Sequence, residues 1–381
     1  MKIAVVHDDF IQKGGAEKLV LALLEVCPEA DLYTSIISRS WGEFFAARKI
    51  RFSASFMQKL PWVEKLFRFY FPLYPLAFES FNFDGYDLVI SSSARFAHGI
   101  ITKPGTVHIA YINSPGRMFW EPDKYFERLG RLRKIILTPL LSYLRIWDFT
   151  SARRPDYLVA NSRSASGKIE KYWGMSPAAV IYPFSESNEA ASMGSPRQPR
   201  TSAQVGDGYY LVISRLNRWK RIDLAIEACN ELHQSLVIIG EGPERKFLEK
   251  MSGPLTEFKG YIRDQEKWEY IRGCKALIQT QKEDFGITAL EAQLVGKPVI
   301  AYGQGGSLET VIEGKTGMFF SAQTKESLIE ALGIFNESSY LSSDCVKQAD
   351  NFSKERFLSA FNDLVYKSAF DRRNKQPLPN P

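Results

Sequence analysis

Short β-branched apolar runs recur along the chain, each followed by a turn and an amphipathic stretch, and this alternation constrains the fold more than any other feature. KIAVVHD, at residues 2–8, has the continuous apolar character of a strand buried on both faces. The Gly14-Gly15 turn follows, and AEKLVLALLEVC then places apolar residues at helical spacing. Further strands are expected at residues 87–91, 108–112 and 157–161. The pattern restarts with YYLVISR and continues through SLVIIGEG, KALIQTQ and KPVIAYG, with RIDLAIEACNEL as an amphipathic helix between. Strands alternating with helices build doubly wound parallel sheets, and five or six strands are expected in the second half. Ligands of such sheets lie outside the carboxyl ends of the strands.

A chain of 381 residues is too long for one ordinary core. Residues 186–208 are rich in Ser, Pro, Gly and Ala and poor in large apolar side chains, which reads as a linker or mobile loop. The expected organisation is α/β throughout: an acceptor-side Rossmann-like domain at 1–183, a linker at 184–208 and a donor domain at 209–353. A C-terminal helix packing back on the first domain, with a polar tail, is expected at 354–381. Two facing sheets would leave a central cleft, a favoured place for a small ligand.

Composition narrows the class. Hydrophobic residues at 45% and charged residues at 24% describe a globular chain. A net charge of +6 is a mild excess that fits a phosphate-bearing ligand, an anionic membrane surface or a plain solvated surface, and no nucleic acid is expected. Cys27, Cys229, Cys274 and Cys345 lie far apart without metal-ligand spacing, so reduced buried thiols are expected. The N-terminus runs straight into a strand without the pattern of a signal peptide, and no run of about 18 apolar residues occurs. The expected location is cytoplasmic, with peripheral contact at the inner face of the membrane.

The strongest chemical signal is EDFGITALE, residues 283–291, with Glu283 and Glu291 flanking a glycine turn that opens a helix. A helix N-terminus presents N–H groups and positive dipole to a phosphate, and carboxylates accept hydrogen bonds from sugar and ribose hydroxyls. The plain alternative is a helix with an acidic first turn. The second signal is SRLNRWKRID after the YYLVI strand. Arg215 can fork onto phosphate oxygens and Lys220 can add a point charge, stabilising a departing diphosphate; otherwise the loop is simply basic and solvated. The third is Gly14-Gly15 after the first strand, which is not a dinucleotide fingerprint. Gly240-Glu241-Gly242 is an incomplete one, with a strand-to-helix turn as its alternative, and the glycines at 303, 305 and 306 end another strand.

Taken together and in order, HDDFIQKGGAEKLVLALLE, VISRLNRWKRIDLAIEA, VIIGEGPE and EDFGITALEAQLVGKPVIAYGQGGSLETVIEGKTG resemble the family-4 retaining glycosyltransferases of GT-B fold. The wording is most similar to bacterial mannosyltransferases that build lipid-linked surface polysaccharide. The resemblance implies that Arg215 and Lys220 bind the donor diphosphate and that Glu283 holds hydroxyls of the transferred sugar. Phe285, Gly286, Ile287 and Thr288 would offer backbone to sugar and phosphate, and Glu291 would bind the ribose. Gly14 and Gly15 would face the diphosphate and acceptor, and Gly240 with Tyr261, Ile262 and Arg263 would lie near the base. Many relatives carry a His where this chain has Asn113, so a His general base is absent there, though Asn113 can still hydrogen-bond the sugar. The favoured chemistry is front-face displacement, in which the leaving phosphate helps take the acceptor proton.

No cofactor and no essential metal are expected. Asp8 and Asp9 are adjacent, and strand neighbours point to opposite faces. Two basic-aromatic stretches, residues 56–71 and 128–147, suit either an interfacial helix or core aromatics with snorkelling cations. The expected activity is hexose transfer, with mannose from GDP-mannose, to a lipid-linked saccharide. A UDP-sugar donor, a nucleotide-sugar 2-epimerase and a non-catalytic sugar-nucleotide-binding protein are the alternatives.

Overall fold

A computed structural model of the chain describes residues 1–12, 14–126, 130–185 and 208–375. It divides into two compact units, Met1–Tyr182 with Phe357–Pro381, and Pro183–Arg356. Most of the expected linker (186–207), the start of the second basic-aromatic stretch (128 and 129) and the end of the tail (376–381) lie outside the described residues.

The first unit is built on seven parallel strands: β1 (Ile3–His7), β2 (Asp31–Thr34), β3 (Phe52–Ala54), β4 (Leu88–Ser93), β5 (Val107–Ile112), β6 (Tyr157–Ala160) and β7 (Ala179–Val180). Their spatial order is β3-β2-β1-β4-β5-β6-β7. The β1–β4–β5–β6 register aligns Ala4, Val89 and His108, and Ala110 with Leu158. Side chains alternate along a strand, so Ala4, Val6, Val89, Ala110 and Leu158 bury on one face. Val5, Ile90, Ile109, Tyr111 and Val159 bury on the other. Rings of Phe357 and Phe361, on the C-terminal helix Lys354–Lys375, lie 6.0 and 6.5 Å from the Tyr111 ring on that second face.

The second unit repeats the plan with six strands: β8 (Tyr210–Ile213), β9 (Leu236–Ile239), β10 (Thr256–Gly260), β11 (Ala276–Gln279), β12 (Val299–Tyr302) and β13 (Gly317–Phe320). The order is β10-β9-β8-β11-β12-β13, all parallel. One core cluster joins Tyr210, Val212, Ile238 and Ile278 to the helix Ile222–Glu231. The other joins Leu211, Val237, Leu277 and Val299 to Trp268 and Ile271 of the helix Asp264–Gly273 and to Ala289 and Ala292 of the helix Ile287–Leu294. The strands at or near the sheet edges, such as Asp31–Thr34 and Thr256–Gly260, are half-exposed. Their sequences therefore lack the continuous apolar run that marks the central ones.

His108, in β5, is a core residue. His108 is fully buried, with Nε2 2.8 Å from Ser91 Oγ and Nδ1 unbonded. Burial, helped by nearby His98 and Arg154, pushes its pKa down to about 3. An unfolded histidine titrates at about 6.5, so this group contributes stability that is present above that value and lost as pH falls towards 3. Between pH 7 and pH 5 the loss from His108 is about 2 kcal/mol. His108→Asn, which keeps one polar partner for Ser91, is expected to unfold in urea with a shallower decline over that interval. Equal pH slopes for the two proteins would refute the assignment. Another buried histidine, His98, is also lowered by burial, but it faces Asp148 at 3.4 Å. Burial raises that carboxyl to about 7, and its contribution to the pH slope has the opposite sign.

Candidate functional site

In the second unit the strand order reverses between β8 and β11, which is where an open parallel sheet offers a crevice at its carboxyl edge. The loop after β8 carries Arg215 and Lys220; the loop after β11 carries Glu283. Tertiary folding brings the last two together: Lys220 Nζ donates to Glu283 Oε1 at 2.6 Å. The side chains are only 12% and 14% exposed, so solvent and salt screen the pair far less than a surface ion pair. Gln281 Nε2 donates to the same oxygen. Lys220 Nζ also lies 4.3 Å from the centre of the Trp219 ring. From below, Thr280 Oγ1 donates to the Lys220 carbonyl at 2.7 Å, and Gln323 Nε2 donates to the Thr280 carbonyl at 2.8 Å. Arg215 is exposed on the same loop.

Two close backbone approaches hold these loops. Gly240, at φ +141°, packs its α-carbon against the Ser214 carbonyl, where a Cβ would overlap the oxygen. Leu216 N donates to Glu241 O at 2.9 Å and Glu244 N to Leu216 O at 3.0 Å, so the β8 loop is stitched to the β9 loop. On the other side, Gly306 N donates to Glu283 O at 2.8 Å, and Cβ atoms at Gly305 and Gly306 would collide with the Glu283–Phe285 backbone. Glycine at these positions lets neighbouring loops touch.

Glu291 stands in the helix Ile287–Leu294 and accepts from Lys267 Nζ at 2.8 Å, each side chain 12% exposed. Gly286 precedes this helix in the left-handed region. Thr288 Oγ1 accepts from Gln279 Nε2 at 2.8 Å, Ile287 is half-buried, and Phe285 is a core side chain whose ring lies 5.5 Å from that of Phe352. Tyr261 is largely exposed after β10, Ile262 packs on the core, and Arg263 begins the helix Asp264–Gly273 with its backbone N–H donating to Glu266.

The nominated residues of the first unit sit at its own carboxyl edge. Gly14 caps the helix Gly15–Val26 after β1. Asn113 follows β5, with Nδ2 donating to Ser92 Oγ at 3.2 Å. The adjacent acids are both buried: Asp8 accepts from the backbone N–H of Ala94, Phe96 and Ala97 at 2.7–2.8 Å, and Asp9 pairs with Arg95.

Lys267, Gln279, Thr280 and Gln281 were not anticipated. The last three are buried polar residues at the end of an apolar strand, a pattern legible as IQTQ. Lys267, by contrast, carries no linear signal. A surface cavity of about 690 Å³ lined by Arg221, Leu224, Glu227, Gln323 and Lys325, among others, contains none of the residues nominated from sequence.

Residues 197–352 match the family model described as "Glycosyl transferases group 1". The alpha-1,3/1,6-mannosyltransferase ALG2 of Dictyostelium discoideum is 34% identical over 247 residues, covering 54% of this chain and 58% of that protein. A glycogen synthase of Mycobacterium tuberculosis is 29% identical over 177 residues, 44% of this chain and 42% of that one. The chain spans about half the length of the curated relatives it matches. Among solved structures, Anabaena HepE in complex with UDP superposes with a TM-score of 0.69 at 17% identity, over 96% of this chain and 100% of that one. Sucrose-phosphate synthase from Thermosynechococcus elongatus gives 0.71 at 16% identity, over 97% and 100%. The chain has the fold of these proteins, two Rossmann-like units of the GT-B class, and the match to the group 1 glycosyl transferase model lies in the second unit.

Proposed function

We propose that the chain is a retaining glycosyltransferase that moves a hexose from a nucleotide diphosphate sugar to a lipid-linked saccharide in surface polysaccharide synthesis. The observation that carries this reading is the Lys220–Glu283 pair at the β8/β11 switch point. An ammonium there meets the charge that develops on a departing diphosphate, and the carboxylate beside it accepts hydroxyls of the hexose. The bond from the anomeric carbon to the phosphate oxygen breaks, and its electrons leave with the diphosphate. The acceptor hydroxyl oxygen bonds to the same face of that carbon, and its proton goes to the leaving phosphate. Arg215 assists on the diphosphate, Glu291 takes the ribose, and the backbone of residues 285–288 takes sugar and phosphate. Gly240 and residues 261–263 line the base. No metal enters this scheme.

Mannose from GDP-mannose is the donor we favour, because a relative named above is a mannosyltransferase. A UDP-sugar is the second reading, favoured by the UDP in complex with the structurally similar HepE. Calorimetric titration with GDP and UDP separates them: tighter binding of GDP is expected, tighter UDP binding selects the second reading, and negligible binding of both removes the donor site. A donor screen by mass spectrometry against lipid-linked acceptors then tests transfer. An epimer formed from donor alone, or binding without turnover on any acceptor, would replace the transferase reading.

A further inference from the structure

Lys267 Nζ lies 2.8 Å from Glu291 Oε1, and each of the two side chains is only 12% exposed. Withdrawing two charges from water costs desolvation that their attraction offsets only in part, and apolar side chains of similar volume often hold such a place equally well. A pair of this kind therefore points to what its carboxylate holds rather than to stability.

Local structure fixes both ends of the pair. Lys267 stands in the first turn of the helix Asp264–Gly273, and its backbone N–H donates to the Arg263 carbonyl at 3.0 Å. The next residue, Trp268, is buried and packs with Ile271, Ala289 and Ala292 in one core cluster, which joins this helix to the helix Ile287–Leu294. Asp264 Oδ1 lies 3.7 Å from the same ammonium, but its side chain is largely exposed, so Glu291 is the main partner. Glu291 follows Thr288 by three residues, so the two share one side of their helix, half-buried. The ion pair thus bridges the helices that follow two loops, residues 261–263 and residues 285–288. In a nucleoside diphosphate the ribose lies between base and phosphates. The pair lies between the segments proposed to hold base and phosphates.

A carboxylate has room for about four hydrogen bonds, and Lys267 takes one of them. Neighbouring hydroxyls of a ribose can donate to the remaining positions. Because the ammonium already holds the carboxylate in one orientation, little ordering is left to be done when a nucleotide arrives.

We infer that Lys267 is a positioning residue for the nucleotide ribose: it holds Glu291 so that the carboxylate accepts the ribose hydroxyls, and the site prefers ribonucleotides to their dideoxy analogues. This rests on the donor-site reading and adds to it a residue and a specificity. Calorimetric titration with GDP and dideoxy-GDP, and with the matching uridine pair, tests it. The analogue lacks both hydroxyls but carries the same base and diphosphate. Wild type is expected to bind GDP at least about tenfold more tightly than dideoxy-GDP, because the analogue leaves a buried acceptor unpaired. Lys267→Met should weaken GDP about tenfold and leave dideoxy-GDP nearly unchanged, so that the preference collapses. A cation lost from the neighbourhood of the diphosphate, a lost base contact or a merely structural defect would weaken both nucleotides equally. Lys267→Arg, which keeps the ion pair, should retain most of the preference. The double variant Lys267→Met with Glu291→Gln, which leaves neither half of the pair charged, should show no preference and no loss beyond that of either single variant. The inference is overturned if wild type binds both nucleotides of a pair equally, if Lys267→Met keeps the preference, or if it weakens both nucleotides alike. If wild type binds neither ribonucleotide, the donor-site reading itself falls, and the inference with it.

Discussion

Lys220→Ala is expected to lower the rate of hexose transfer about 10²- to 10³-fold, because a cation that tightens on the departing diphosphate is lost. Glu283→Ala should cost a similar factor through the sugar. The two residues share a hydrogen bond at 2.6 Å, so the effects should not add. Once one partner is gone the other is already misplaced, and the double variant should be little slower than either single one. Truncation also leaves a charge in a site only about an eighth exposed, so some loss of stability accompanies the loss of rate. The conservative variants Lys220→Arg and Glu283→Gln separate the two effects, since each keeps a polar partner for the other residue. If Lys220→Ala turned over donor at near wild-type kcat, the leaving-group role would be wrong, and the pair would be structural.

The second large effect is on stability. Gly240→Ala is expected to destabilise the second unit by about 2–4 kcal/mol. Two costs combine. At φ +141° an L side chain is strained whatever surrounds it. Its Cβ would also press on the Ser214 carbonyl, a backbone atom that cannot swing away. Relief requires β8 and β9 to part at their ends or the loop bearing Arg215 and Lys220 to shift. Nucleotide binding should therefore weaken together with the melting temperature, even if Gly240 itself touches no ligand. A variant that melts as wild type does would show that the close approach is not needed. Wild-type stability with weakened nucleotide binding would instead assign Gly240 to ligand contact alone.

Much of this was legible in the linear order of residues. The central strands announce themselves because both faces are buried, and IAVV, LVII and ALIQ can have no other environment. The loop residues after them follow, since a parallel sheet delivers its functional loops at one edge. The edge strand Thr256–Gly260 escaped notice because half-exposure removes the apolar run. The close approaches at the glycines of positions 240 and 306, to Ser214 and to Glu283–Phe285, were not legible, because a glycine in sequence does not say which backbone approaches it.

By itself the sequence determined the class of fold, the strands at the centre of each sheet and the loops that carry acid and base, because these depend on local periodicity and on steric limits within a few residues. Only the tertiary structure decided that Lys220 meets Glu283 across 63 residues and that Glu291 meets Lys267 across 24. Those outcomes follow from strand order and packing, which depend on the energy of the whole sheet and leave no trace in the neighbours of any one residue.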